Sequence, residues 1–344
     1  MKSQQIAPSR SVKIPRRRAR QYAAASVTLA AAATLMACGA SSDAADSKRP
    51  ASASPSPTGA VTRAQADKIV DHYEEVNNRS NKTRDAKLLG TVEGGQVYEL
   101  SKAEFKAFPT WPSKKRKEYG NPFTYKQRSF AMPANAGWFM FIGHMNGSKY
   151  PSLLVFDKVG GEWKAVRAVH LSVPVPAIDT SRGGLAAAVS TSAKSGVLSP
   201  AEVKNAWEDL YTSGGKHQGK ELASSGWTKD ALKTYRTRND ELGSQAQVSF
   251  FSKPAKSEKI YALRTKDGGV LTVSSLAHNE ESITKAALRG SSSMQITPGP
   301  AEKVFNSTPR SAIVDEFQGQ ALVHLTPKDK PKVLYAVYSL VDSR

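Results

Sequence analysis

The sequence predicts an α+β fold made of two tandem units, each a helix-led stretch followed by antiparallel strands. Three observations predict it. A helix-start signature at Thr62-Arg63-Ala64-Gln65 returns 137 residues later at Ser199-Pro200-Ala201-Glu202. Both are followed by β-branched and aromatic runs separated by short turn signals, and a stretch rich in Pro, Gly, Ser and Ala, Pro174 to Leu198, interrupts both periodicities. Helices first and antiparallel strands afterwards, twice, place helices on one face of a curved sheet in each half.

The chain opens on a basic segment: Lys2, Arg10, Lys13, Arg16, Arg17, Arg18 and Arg20, with no acidic residue before Cys38. A 16-residue apolar run, Tyr22 to Ala37, follows and ends at the only cysteine of the 344 residues. The run is mostly alanine and falls short of the ~20 residues that span a bilayer as a helix. A basic start, a short apolar core and a small residue before the junction are the features of a cleaved export leader. Leu35-Met36-Ala37-Cys38 resembles the lipobox of a bacterial lipoprotein signal peptide. That resemblance implies recognition of Leu35, Met36 and Ala37 by a signal peptidase, a diacylglyceryl group on the Cys38 thiol, and a mature chain that begins at Cys38 on the extracytoplasmic face of the cell membrane. The residues after Arg16-Arg17-Arg18 are Ala19-Arg20-Gln21, which favours the general secretory route over the twin-arginine one.

Loss of the seven basic leader residues takes 49 Lys and Arg to 42, against 30 Asp and Glu, so the 307-residue mature chain carries +12. Such a charge favours attraction to an anionic envelope surface, so the expected partners are membrane lipid through the Cys38 acyl chains and anionic envelope polymers or an envelope protein. No nucleic-acid module is present, and nucleic acid is not an expected partner. With Cys38 acylated no disulfide is possible, so stability rests on apolar cores. Residues 38–60 form a Ser, Ala, Pro and Asp tract without apolar periodicity and are expected to act as a disordered tether.

The first unit, 61–175, starts with a capping box in which Thr62 and Gln65 satisfy each other's backbone donors. Ala66, Ile69, Val70, Tyr73 and Val76 then follow at helical spacing, and Asn77-Asn78 is the expected stop. Gly137 to Met145, Ser152 to Lys158 and Glu162 to Leu171 read as a three-stranded meander, turned at Asn146-Gly147 and Gly160-Gly161. Residues 176–198 are the predicted inter-domain linker.

The second unit, 199–344, opens on a cap, a first-turn proline and a reciprocal glutamate. Val203, Ala206, Trp207, Leu210 and Tyr211 form its stripe, and Gly214-Gly215 stops it. Thr228 to Leu242 reads as a further helix. Gln247 to Ser252, Lys259 to Thr265, Val270 to His278, Ala312 to Leu325 and Lys332 to Val341 read as strands, with a turn at Asp267-Gly268. This order of elements resembles the cone-like domains of the nuclear-transport-factor-2 and cystatin superfamilies. Ser152 to Phe156, Glu162-Trp163-Lys164, Ala168 to Leu171, Pro174 to Ile178, Gly183 to Ala186, Leu198-Ser199-Pro200 and Leu263 to Gly269 together resemble an uncharacterised actinobacterial family of two-part surface lipoproteins. That resemblance brings no catalytic residue with it.

The chemical motifs are near misses. Gly214 to Lys220 has the G-x-x-x-x-G-K spacing of a phosphate loop, but Glu221 stands where Ser or Thr is needed and the loop follows a helix. Ser282-Ile283-Thr284-Lys285 matches S-x-x-K without any K-T-G. The six histidines, His72, His144, His170, His217, His278 and His324, are spread singly. No catalytic group, cofactor or metal ligand is therefore assigned. Lys114-Lys115-Arg116-Lys117 lies between Trp111 and Tyr119 in a proline-punctuated segment read as a basic loop that can meet phosphate head groups. Trp138 to Ile142 is apolar on both faces, so both faces need a cover or one lines a pocket.

The leading functional expectation is a non-catalytic, membrane-anchored binding or interaction lipoprotein. Two alternatives stand beside it: a cone-pocket enzyme doing acid-base chemistry on an apolar substrate, with Asp71, His72 and Tyr73 as proton-transfer groups, and an assembly component of a membrane complex.

Overall fold

The computed structural model describes residues 58–344 apart from 182, 241 and 292. Leu35, Met36, Ala37, Cys38 and the rest of the expected leader and tether up to residue 57 lie outside the described residues.

Thr62 Oγ1 accepts from the Gln65 N–H at 3.2 Å, and Gln65 Oε1 accepts from the Thr62 N–H at 2.8 Å. This box opens helix α1, Arg63–Thr83, which runs on past Asn77-Asn78 and ends at Arg84 in the left-handed conformation, φ 57°. The asparagines are not breakers here because their amides serve tertiary bonds: Asn77 Nδ2 donates to Glu93, and Asn78 Nδ2 donates to the Phe123 carbonyl at 2.8 Å. Three helices follow that the sequence pattern did not show, α2 Ala86–Leu89, α3 Gly95–Ala107 and α4 Ser113–Tyr119. The segment read as a basic loop is thus α4: Lys, Arg and Glu are good helix formers, bracketed by Pro112 and Gly120.

The first sheet is antiparallel in the order β1 Tyr125–Ala131, β2 Trp138–Met145, β3 Ser152–Val159, β4 Glu162–His170. The strand β1 is an addition to the predicted meander. At the turns between β2 and β3 and between β3 and β4, Gly147, Gly160 and Gly161 all have positive φ, so residues with a Cβ would be strained there.

In the second half, Ser199 and Glu202 form the predicted reciprocal cap, with the Ser199 N–H donating to Glu202 Oε2 at 2.7 Å. A 3-10 turn, Pro200–Glu202, leads into α5, Val203–Thr212. Helix α6 is Gly226–Arg236, displaced toward the N-terminus from its predicted span because Ser225 and Thr228 cap it. The second sheet comprises β5 Ala246–Ser252, β6 Tyr261–Arg264, β7 Val270–Thr284, β8 Ala312–Leu325 and β9 Lys332–Ser343. Its order is β5-β7-β8-β9, with β6 pairing the opening of β7 on the edge that β5 occupies further along.

Side-chain alternation turns these elements into four layers. Phe139, Phe141, Leu154 and Phe156 point from the first sheet onto Val70, Tyr73, Val97 and Phe105 of α1 and α3. The opposite faces of the same strands, Trp138, Met140, Leu153 and Val155, meet Tyr261, Leu263, Leu271, Val273 and Leu322 of the second sheet. The other face of that second sheet, with Val270, Leu276, Val323 and Leu325, lies under Trp207, Leu210 and Ala231 of α5 and α6. The doubly apolar β2 is explained: helices cover one face and the second sheet covers the other. Residues of the segment 176–198 make isolated bridges to both halves, Ala186 to Pro133, Ile178 to Thr265 and Ala188 to Leu263.

Candidate functional site

Successive residues of a helix are turned by about 100°, so consecutive groups seldom converge. Asp71 and His72 of α1 are exposed, while Tyr73 is buried. Asp71 instead pairs with Arg128 at 2.6 Å, and Glu74 accepts from the same guanidinium at 2.7 Å. A bulge in β1 at Gln127, φ 51°, aims Arg128 at α1. Tyr73 donates to Glu93 Oε1 at 3.3 Å and Asn77 Nδ2 donates to the same oxygen at 2.9 Å. Glu93 is buried, and desolvation pushes its carboxyl up to about 7. The structure thus separates the three α1 groups, and the carboxylic acid beside Tyr73 comes from 20 residues further on.

A second buried pair lies in the other half. His278 Nδ1 sits 2.9 Å from Glu208 Oε2, and Glu208 Oε1 accepts from the Ala277 N–H at 3.0 Å and from the Tyr338 hydroxyl. A carboxylate on Nδ1 fixes the imidazole's orientation, as in acid-base enzymes. Here, however, the rings of Tyr211, Phe250, Phe317 and Tyr338 wall the imidazole at centroid distances from 4.4 to 5.5 Å. The pair ties α5 to β7 and β9. A shallow cleft of about 250 Å³, lined by Asn205, Glu208, Thr212 and Ser252 among others, lies beside it.

The near-miss motifs have structural explanations. The N–H groups of His217 and Gly219, at 2.9 and 2.8 Å, both donate to Asp209 Oδ2, so the phosphate-loop-like turn already encloses an anion, its own aspartate. In S-x-x-K, Ser282 lies on β7 and Lys285 just past its end, and an odd offset on extended chain sends side chains to opposite faces. His72 and His217 are exposed; His170 bonds Ser152 Oγ at 2.8 Å and His324 faces Asp267 at 3.3 Å. Among the described residues no group of three or more His, Cys, Asp or Glu side chains is placed to hold a metal ion. No described helix is long and apolar enough to cross a membrane.

The most distinctive surface lies at the end of α1 marked by Arg84. Lys114, Lys115, Arg116 and Lys117 of α4 are all exposed, whereas Trp111 and Tyr119 are half-buried. The Trp111 ring meets Tyr119 edge-on at 5.1 Å and Phe108 at 5.7 Å. Lys115 Nζ lies 3.4 Å from the Trp111 ring centre and the Arg84 guanidinium 4.6 Å from that of Phe108. Tyr119 donates to Glu104 Oε2 at 3.2 Å, anchoring this aromatic floor to α3. Cations held over ring faces at such distances are attracted by the ring quadrupole, about 0.5–1 kcal/mol each at exposed sites. The arrangement is a projecting cationic turn on an aromatic base.

Fold and surface together define an α+β protein of two stacked antiparallel sheets. The chain belongs to the family described as Domain of unknown function (DUF8094), whose profile matches residues 57–343. It is similar to two proteins of Streptomyces coelicolor. One, named Uncharacterized lipoprotein SCO6871, is 27% identical over 296 residues, covering 83% of this chain and 82% of the relative. The other, Uncharacterized lipoprotein SCO2278, is 28% identical over 262 residues, covering 72% and 74%. No solved structure matches the chain.

Proposed function

We propose that the protein is a membrane-anchored interaction lipoprotein: acyl chains on Cys38 hold it on the extracytoplasmic face, and its body binds an anionic component of the envelope. Two relatives named as lipoproteins, and the Leu35-Met36-Ala37-Cys38 pattern, support the anchor. The observation that carries the binding role is the exposed run Lys114 to Lys117 on its aromatic base. One acyl chain gives marginal membrane residence, and two on one cysteine make it stable.

Metabolic labelling with a fatty acid tests the anchor. The wild-type chain takes up label and stays with membranes in high salt and carbonate. Cys38→Ser removes the acceptor thiol, so the label is lost and either precursor or released protein accumulates. Equal labelling of the two forms defeats the reading.

A further inference from the structure

We infer that the α4 surface is a second membrane contact, which lays the body on anionic lipid head groups while Cys38 holds the chain. This deepens the proposed function by naming the partner as the bilayer itself, and it rests on that reading. Three features favour a bilayer over a soluble phosphate polymer.

The first is the pairing of charge with an apolar floor. Lys114, Lys115, Arg116 and Lys117 are exposed, and Trp111 lies under Lys115, edge-on against the half-buried Tyr119. A polymer of phosphates needs only the cations. A lipid interface uses both, because indole and phenol rings settle at head-group depth while basic side chains reach outward to phosphate. The second is the side that α4 turns outward: with Glu118 and Tyr119 half-buried, the step of about 100° per residue puts Arg116 and Lys117 on the outer side and Lys114 at its edge, one side that a planar surface can meet. The ammonium of Lys115 covers the indole in solution; a swing of that flexible side chain toward phosphate uncovers the ring for the interface.

The third is reach. The described chain comes in beside the first sheet, where the Thr58 carbonyl accepts from the Asn135 N–H at 2.9 Å, and Arg63 at the start of α1 lies over Phe130. The basic surface is at the other end of α1, about 30 Å away along a 21-residue helix. The chain from residue 38 to residue 58 can extend at most to roughly 70 Å. Cys38 and α4 can therefore meet one bilayer together.

The test uses the leader-free chain carrying Cys38→Ser, so that no acyl chain contributes, and vesicles of phosphatidylcholine with or without phosphatidylglycerol. The expected result is sedimentation with the anionic vesicles only, weakened by salt, and a blue shift of tryptophan emission that Trp111→Phe removes. Each basic residue near such a surface is worth about 1 kcal/mol, so Lys114→Gln with Lys117→Gln lowers partitioning about 30-fold. Both positions are exposed, and circular dichroism verifies folding. Equal binding to neutral vesicles, or unchanged binding of the double variant, overturns the inference. So does anionic binding with no Trp111-dependent shift that soluble polyphosphate fully displaces, which identifies a polymer site instead. Fatty-acid labelling at Cys38 is read separately, so failure of the α4 contact and failure of the anchor are distinguishable.

Discussion

Arg167 of the first sheet donates through Nη2 to Ser275 Oγ of the second at 2.6 Å, in the seam between the two sheets. A bulge in β4 produces this contact. Register shifts between the Val155 and Phe156 pairings, so Val166 and Arg167 both turn toward the second sheet instead of alternating. The guanidinium is fully buried and meets acceptors only, the carbonyls of Val166, Ser257 and Lys259 besides Ser275. Burial lowers its pKa to about 10, so it stays charged at neutral pH. Nearby, Asp157 accepts from Tyr261 at 2.6 Å and Lys259 at 2.5 Å, again across the seam.

Substitution at Arg167 should therefore be felt in stability well beyond a surface change. Arg167→Met fills similar volume but leaves the Lys259 carbonyl without its donor, at about 1–3 kcal/mol for an orphaned group, while the Ser257 carbonyl keeps the Ser275 hydroxyl. We expect a loss of roughly 1–3 kcal/mol, read from the midpoint of urea unfolding at unchanged slope. Arg167→Lys should recover only part of it, since one ammonium does not reproduce a planar fork. A midpoint unaffected by Arg167→Met would show that the seam is held by apolar contact alone.

Glu93 makes stability depend on pH, and the sign follows from its environment. Its folded pKa is raised from the ordinary carboxyl value to about 7 by burial. A group raised in this way is fully favourable to the fold below its unfolded pKa, and the contribution is lost as pH rises through 7. Stability should accordingly fall by about 3 kcal/mol between pH 5 and pH 8 from this residue. Asp315, raised to about 8 by burial and by facing Glu302, acts in the same direction. Glu93→Gln keeps an acceptor for Asn77 and carries no charge. The variant should match wild type near pH 5 and exceed it at pH 8; parallel stability curves for the two proteins would contradict the assignment.

Much of the strand framework was legible because three hairpins carry their own turn chemistry, at Asn146-Gly147, Gly160-Gly161 and Asp267-Gly268, and because Thr62 and Ser199 announce their helices. Helix α3 was not legible. Its N-cap is Gly94, which supplies no side-chain cap, and its buried positions divide between two covers: Val97 and Phe105 face the first sheet, while Gln96 donates to Gln318 at 2.9 Å and to the Gly319 carbonyl at 3.0 Å in the second. Such a helix has no single stripe to detect. Helix α4 has no apolar stripe either, although its helix-forming run between Pro112 and Gly120 was a usable signal. The Arg167 seam, the Tyr73–Glu93 pair and the Glu208–His278 pair depend on register and on contacts across the fold, which residue spacing does not encode.

The relation between the halves yields the last prediction. Each half has its own helix-covered cluster, one around Phe139 and Phe156 and the other around Trp207 and Leu276. A third cluster is shared, and so are the bonds of Arg167, Asp157, Gln96 and Gln320, the last pairing with the Ala168 backbone. We therefore propose that residues 61–175 and 199–344 are units that fold locally but depend on each other for full stability. Expressed apart, each should retain secondary structure while exposing Met140, Leu153 and Val155, or Leu263, Leu271 and Val273, to water. Exposure of an apolar sheet face makes a chain associate. Each half alone should bind a hydrophobic dye and unfold with a shallow slope, because the slope scales with the surface exposed on unfolding. Mixing the halves should restore a single steep transition and displace the dye. The segment 176–198 adds strand-like pairing on both sides, so its attachment to either half should strengthen the recombined pair. Two halves that each unfold steeply, bind no dye and ignore one another on mixing would instead mark the units as independent domains.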